Sequence, residues 1–117
     1  NADGSLDHTF DTDGLVTTDF GSDGDRALAV AVPSDGKIVA AGYSRNGSAY
    51  DYNFALARYS TNGSLDHTFD TDGLVTTDFA SGDDMAYAVA LQSDGKIVAA
   101  GFATGTGTDF ALARYLP

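Results

Sequence analysis

Hydrophobic residues along this chain come in short bursts separated by clusters of Gly, Asp, Asn and Ser. In the first half the bursts are LVTTDF (Leu15 to Phe20), ALAVAV (Ala27 to Val32), KIVAAGY (Lys37 to Tyr43) and FALARY (Phe54 to Tyr59). Each is rich in β-branched or aromatic residues and bounded by turn formers, which predicts four β-strands. The second and third flank Pro33-Ser34-Asp35-Gly36, where Asp-Gly supplies the positive φ of a tight hairpin. Alternation within ALAVAV puts Ala27, Ala29 and Ala31 on one face and Leu28, Val30 and Val32 on the other. Both faces are apolar, so this strand is expected inside a stack of sheets.

The bursts recur. GSLDHTFDTDGLVTTDF runs from Gly4 to Phe20 and returns unchanged from Gly63 to Phe79; SDGKIVAAG and FALARY also occur twice. The offset is 59 residues from Gly4 to Gly63 but 56 from Phe54 to Phe110, so the first copy carries a longer loop. Two repeat units, residues 1–60 and 61–117, account for the chain. Repeated four-stranded antiparallel sheets with both faces apolar fit the blades of an all-β propeller. The alanines suit the crowded innermost strand. The expected blade order is ALAVAV, KIVAAGY, FALARY and, outermost, LVTTDF of the following unit. The first sheet is then complete and the second lacks its fourth strand.

Propellers close with about four to eight blades, so two blades leave apolar faces and strand edges open. The expectation is a cyclic homo-oligomer of three or four chains, giving six or eight blades. Leu15, Val16 and Phe20 of one chain would complete the last sheet of its neighbour against Phe110, Leu112 and Tyr115, a head-to-tail interface. The competing arrangements are a monomeric sandwich of two four-stranded sheets and a fragment of a longer array. Against the fragment, the second copy ends RYLP where the first continues RYSTNG.

ALAVAVPSDGKIVAAGY followed by FALARYSTNGSLDHTF resembles the bacterial delta-sixty repeat, a propeller-type repeat of large surface or secreted proteins. The resemblance covers both units and involves several spaced motifs. It implies the propeller fold and an extracellular or cell-surface setting, and little about biochemical role. The near identity of the copies also fits recent duplication or deliberate symmetrisation.

Composition narrows the function. The chain has 117 residues, 43% of them hydrophobic, enough for a packed core, and a formal charge of −11. All of its 17 acidic residues are aspartate, which favours turns and caps where glutamate would favour helix. Such a charge repels phosphate backbones, so no nucleic-acid partner is expected. No apolar run is long enough to span a bilayer, and with no cysteine there are neither disulfides nor thiolate metal sites.

Three features carry candidate chemistry. Asp11-Thr12-Asp13-Gly14 and Asp70-Thr71-Asp72-Gly73 resemble half of a calcium loop, with Asp11, Asp13, Asp70 and Asp72 as ligands. No third alternate carboxylate or bidentate Glu completes the loop, and the same residues also serve as Asp-Gly turns whose carboxylates cap backbone N–H groups. His8 and His67 stand alone in their units, so a zinc site would have to form between subunits. The long loop from Tyr43 to Asn53 holds Arg45, Tyr50 and Tyr52, which suit a glycan or protein ligand; the same tyrosines could equally cover a blade edge. No convergence of unlike groups points to catalysis. The expected function is a non-enzymatic scaffold or binding module that self-assembles and requires no cofactor. The alternative is a Ca²⁺-dependent extracellular module binding carbohydrate or protein.

Overall fold

The computed structural model describes residues 2–47 and 51–117, and in them the chain forms seven strands in two antiparallel sheets. The first sheet contains β1 (Asp25–Ala31), β2 (Ile38–Arg45), β3 (Tyr52–Tyr59) and β4 (Leu74–Thr77), in that order. The second contains β5 (Asp84–Leu91), β6 (Ile97–Thr104) and β7 (Thr108–Tyr115). Each sheet is a simple meander. Among the described residues no strand crosses from one sheet to the other, as a Greek-key sandwich would require. The blade order expected from the sequence is the one observed, including completion of the first sheet by the second copy of LVTTDF.

The turn between β1 and β2 forms where Asp-Gly places it. Gly36 sits at φ 79, its N–H donates to Pro33 O at 3.0 Å, and Asp35 Oδ1 accepts from Lys37 N–H.

The expected alternation in ALAVAV is corrected by a β-bulge. Ala27 lies opposite Gly42 but Ala29 lies opposite Ala41, so Leu28 is an extra residue and the face pattern flips between Ala27 and Ala29. Ala29 and Ala31 share the face of Ala41 and Val39, whereas Ala27 joins the opposite face. The second copy bulges identically between Ala86 and Ala88.

The sheets pack front to back. From the first sheet the core takes Val39, Ala41, Phe54 and Leu56; from the second it takes Ile97, Ala99 and Ala111. Ile97 and Ala99 correspond by repeat to Ile38 and Ala40, which lie on the other face of their sheet. One blade's front therefore covers the next blade's back, a heterologous contact that can be repeated indefinitely. Two open surfaces remain. On the back of the first sheet Val30 and Val32 are 64% and 60% exposed, and on the front of the second Phe110 and Leu112 are 98% and 64% exposed.

Candidate self-assembly edge

The strand joint that the sequence predicts between chains also exists once within the chain, between β3 and β4. Phe54, Ala55, Leu56 and Ala57 pair with Thr77, Thr76, Val75 and Leu74. Phe54 and Leu56 are fully buried there, and the Phe54 ring meets Phe79 edge-on at 4.9 Å between centroids. The incoming segment is tied down further upstream. Leu65 bridges Tyr59, Asp66 N–H donates to Arg58 O at 2.8 Å, and Arg58 N–H donates to Gly73 O at 2.9 Å.

Asp66 is the buried anchor of this joint. Its carboxylate accepts from Arg58 Nε at 2.8 Å and Lys37 Nζ at 2.9 Å, and from the Thr68 hydroxyl and N–H. The Arg58 guanidinium then lies over the Phe69 ring, 4.6 Å from its centroid. The Thr68 hydroxyl first, and the Lys37 ammonium after it, hold the Asp66 carboxyl well below the usual carboxylate range. A carboxyl with a depressed folded pKa stabilises the fold above its unfolded pKa and loses that contribution as pH falls through the folded value. Asp66→Asn leaves Arg58 buried without its counter-charge, and is expected to cost about 3–5 kcal/mol in denaturant unfolding at pH 7. The gap between variant and parent should shrink below about pH 4, the unfolded range for Asp.

Asp84 behaves oppositely. It is fully buried at the start of β5; Oδ2 accepts from Phe79 N–H at 2.7 Å, while Oδ1 has no partner among the described residues. Burial pushes its carboxyl up. Its contribution to stability therefore grows as pH falls through that raised value, partly offsetting the acid loss at Asp66.

The Asp-Thr-Asp-Gly quartets fold as turns. Asp70 and Thr71 adopt φ 45 and 67, Asp11 and Thr12 adopt φ 44 and 66, and the following Gly73 and Gly14 are also left-handed. Gly73 N–H donates to Phe69 O and Asp72 N–H to Asp70 O, while Asp72 Oδ1 caps Leu74 N–H at 2.9 Å. Asp13 caps Leu15 in the same way. Asp11 and Asp70 are exposed, and among the described residues no group of three or more His, Cys, Asp or Glu is placed to hold a metal ion. His67 Nδ1 lies 3.3 Å from Thr71 O, inside the same turn.

By the repeat, the β3–β4 strand pairing and the Arg58–Asp66 ion pair have counterparts that the single chain leaves unmade. Phe110, Leu112 and Arg114 occupy the positions of Phe54, Leu56 and Arg58, and all three are exposed. Leu15 is 57% exposed and Leu6 47%. Asp7, the counterpart of Asp66, keeps its Thr9 contacts at 2.7 and 3.0 Å but has no ion pair among the described residues. Leu15 to Phe20, expected as a strand completed by a neighbouring chain, pairs with no strand of its own chain among the described residues.

The N-terminal segment is nevertheless docked. Asp11 N–H donates to Asn62 O at 2.7 Å, Thr18 Oγ1 lies 2.6 Å from the Tyr59 hydroxyl, and Phe20 N–H donates to Asp25 at 2.9 Å. The second copy holds Thr77 to Tyr115 at 2.8 Å and Phe79 to Asp84 the same way. Tyr115 is thereby corrected as an interface side chain: its hydroxyl and half-buried ring face the core between the two blades, and only its backbone lies on the open edge. Val16 and Phe20 are half-buried in the single chain.

The candidate ligand residues sit elsewhere, at the rim. Arg45 and Tyr52 face each other across the β2–β3 ladder. The Tyr52 ring meets Tyr43 edge-on at 5.1 Å, and the hairpin is closed by Asn46 N–H to Asp51 O at 2.7 Å. Tyr50 lies outside the described residues. Sequence reasoning missed Tyr43 and Arg26, which share this face; the signal was that both differ from their counterparts Phe102 and Met85.

Among known proteins, residues 34–69 and 92–117 match the family model described as a domain of unknown function (DUF5122) beta-propeller. The two segments, of 36 and 26 residues, span more than half of the 117. Each starts at the turn after the innermost strand and includes the third strand, the first continuing to Phe69 and the second to Pro117. No curated protein and no solved structure matches the chain. The chain belongs to the DUF5122 β-propeller family.

Proposed function

We propose that this chain is a non-enzymatic propeller module whose two-blade units assemble head to tail, each N-terminal LVTTDF strand completing the second blade of a neighbour. The observation that carries this reading is the contrast between identical sequences in two settings. FALARY buries Phe54 and Leu56 completely where LVTTDF pairs with it and the next blade covers its face, and leaves Phe110 and Leu112 open where it has neither. Carried over from the internal joint, the register places Phe110, Ala111, Leu112 and Ala113 opposite Thr18, Thr17, Val16 and Leu15 of the next chain. Asp7 then meets Arg114 and Lys96, and Phe10 lies under Arg114. Three or four chains give a ring of six or eight blades.

The period of about sixty residues fits the delta-sixty repeats, and with them a role at the cell surface. Residues identical in both copies serve turns and joints, so nothing in them calls for catalysis. Because the chain has no cysteine, the register can be tested with a Val16→Cys, Leu112→Cys double variant. Mild oxidation should give covalent multimers that end at trimer or tetramer. Monomers only, or an unbounded ladder, would contradict the closed ring.

A further inference from the structure

Differences between the two copies are few, and several converge on one groove. It is lined by Asp23, Gly24, Arg26, Tyr43, Arg45 and Tyr52 of the first blade and Met85 of the second. The corresponding residues of the second copy are Gly82, Asp83, Met85, Phe102, Thr104 and Thr108. Every first-blade residue of this groove thus lies at a position where the copies diverge, whereas GSLDHTFDTDGLVTTDF and FALARY, which make the joint, are copied unchanged. Demands of the repeat do not explain such a cluster.

The register puts the four large side chains on one face. Arg26 pairs with Tyr43, Arg45 pairs with Tyr52, and Tyr43 stands two residues from Arg45 on the same strand. Tyr43, 9% exposed, forms the floor with Tyr52 edge-on against it. Two of the six cationic residues of a strongly acidic chain are brought together here. Asp23 reaches Arg45 at 3.8 Å, and its side chain is 93% exposed, so this carboxylate stands at the mouth on a loose contact.

We propose that this groove binds a small ring-borne carboxylate, a uronic acid unit of an acidic oligosaccharide. Two guanidinium groups select a planar oxyanion, and the paired tyrosines offer flat apolar surface with hydroxyls for a sugar ring. The cavity volume is about 270 Å³, just under the ~300–1,000 Å³ of drug-sized pockets, which suits one ring. An extended acidic peptide fits less well, because the backbone beside the groove is already engaged: Arg45 N–H is given to Gly24 O at 3.2 Å. The ligand carboxylate takes the place that Asp23 holds loosely. All lining residues come from one chain, so the site stands whether or not the ring closes.

The test is calorimetric titration of the whole chain with trigalacturonate, alongside a neutral trisaccharide, triaspartate and inorganic phosphate. Trigalacturonate should bind best. Arg26→Met with Arg45→Thr should weaken it at least tenfold, and Asp23→Gly should tighten it severalfold. Each of these substitutions installs the residue that the second blade carries at the same position, so the fold tolerates them; a melting temperature checks this. The proposal is overturned if trigalacturonate fails to bind, if the double variant binds it equally, if Asp23→Gly weakens it, or if any of the other three probes binds as tightly.

Discussion

Phe110→Asp is expected to leave the chain folded and to abolish its assembly. In the single chain this ring is almost wholly exposed, so replacing it removes no internal packing. Its counterpart Phe54, identical in local sequence, is fully buried between Leu56, the Phe79 ring and the second blade. Truncation there, Phe54→Ala, should cost about 3–5 kcal/mol of folding stability. If the two FALARY strands do the same work in different joints, a similar energy is lost at each chain–chain contact on changing Phe110. That weakens association by roughly 100-fold or more, at 1.4 kcal/mol per tenfold, and a buried unpaired carboxylate adds to it. The readouts separate cleanly: Phe110→Asp changes sedimentation and not the melting curve of the monomer, and Phe54→Ala changes the melting curve. Equal effects of both variants on monomer stability would contradict the assignment.

Gly42→Ala should be among the most damaging single substitutions in the chain. A Cβ at Gly42 would lie 1.9 Å from Arg26 O, and one at Gly101 would lie 1.8 Å from Met85 O. Those oxygens belong to the backbone at the β-bulges, so no rotamer change relieves the clash. The β1–β2 ladder has to open, with loss of the bulge and of hydrogen bonds on either side. Ordinary overpacking costs about 1–3 kcal/mol, and this backbone clash is expected to exceed it. The predicted loss in urea unfolding is about 3 kcal/mol or more for Gly42→Ala, with a comparable loss for Gly101→Ala. A change below about 1 kcal/mol would mean that the bulge is not required.

Much of this architecture was legible because the chain states it twice. The strands could be assigned from their bounding turns, and the Asp-Gly of Pro33 to Gly36 fixed one hairpin. The out-of-phase order, with Leu74 to Thr77 closing the blade begun at Asp25, followed from counting strands per repeat. The bulge at Leu28 was not legible: a strand of small apolar residues reads equally well in either register, and what decides is the absent Cβ of Gly42 on the neighbouring strand. That Leu15 to Phe20 has no strand partner in its own chain was expected from the out-of-phase order, and it pairs with none among the described residues. The Asp-Thr-Asp-Gly quartets fit two chemistries on paper. Left-handed φ at Asp11 and Thr12, with Asp13 turned back onto Leu15, makes them turns. Arg58 with Asp66 was missed because a charged residue within FALARY looks solvent-facing until the incoming loop is placed over it.

The rim groove and the open edge lie at different places. Under the two proposals, assembly would use what the copies share and recognition would use where they differ, which fits the strict repetition of the joint residues beside the single occurrence of Asp23, Arg26, Tyr43, Arg45 and Tyr52.

The central claim is that two-blade chains complete one another, and light-scattering mass after size exclusion tests it most directly. The chain weighs 12.1 kDa. The account predicts a single species at three or four times that mass, persisting on dilution to micromolar concentration. A clean 12.1 kDa species would contradict it.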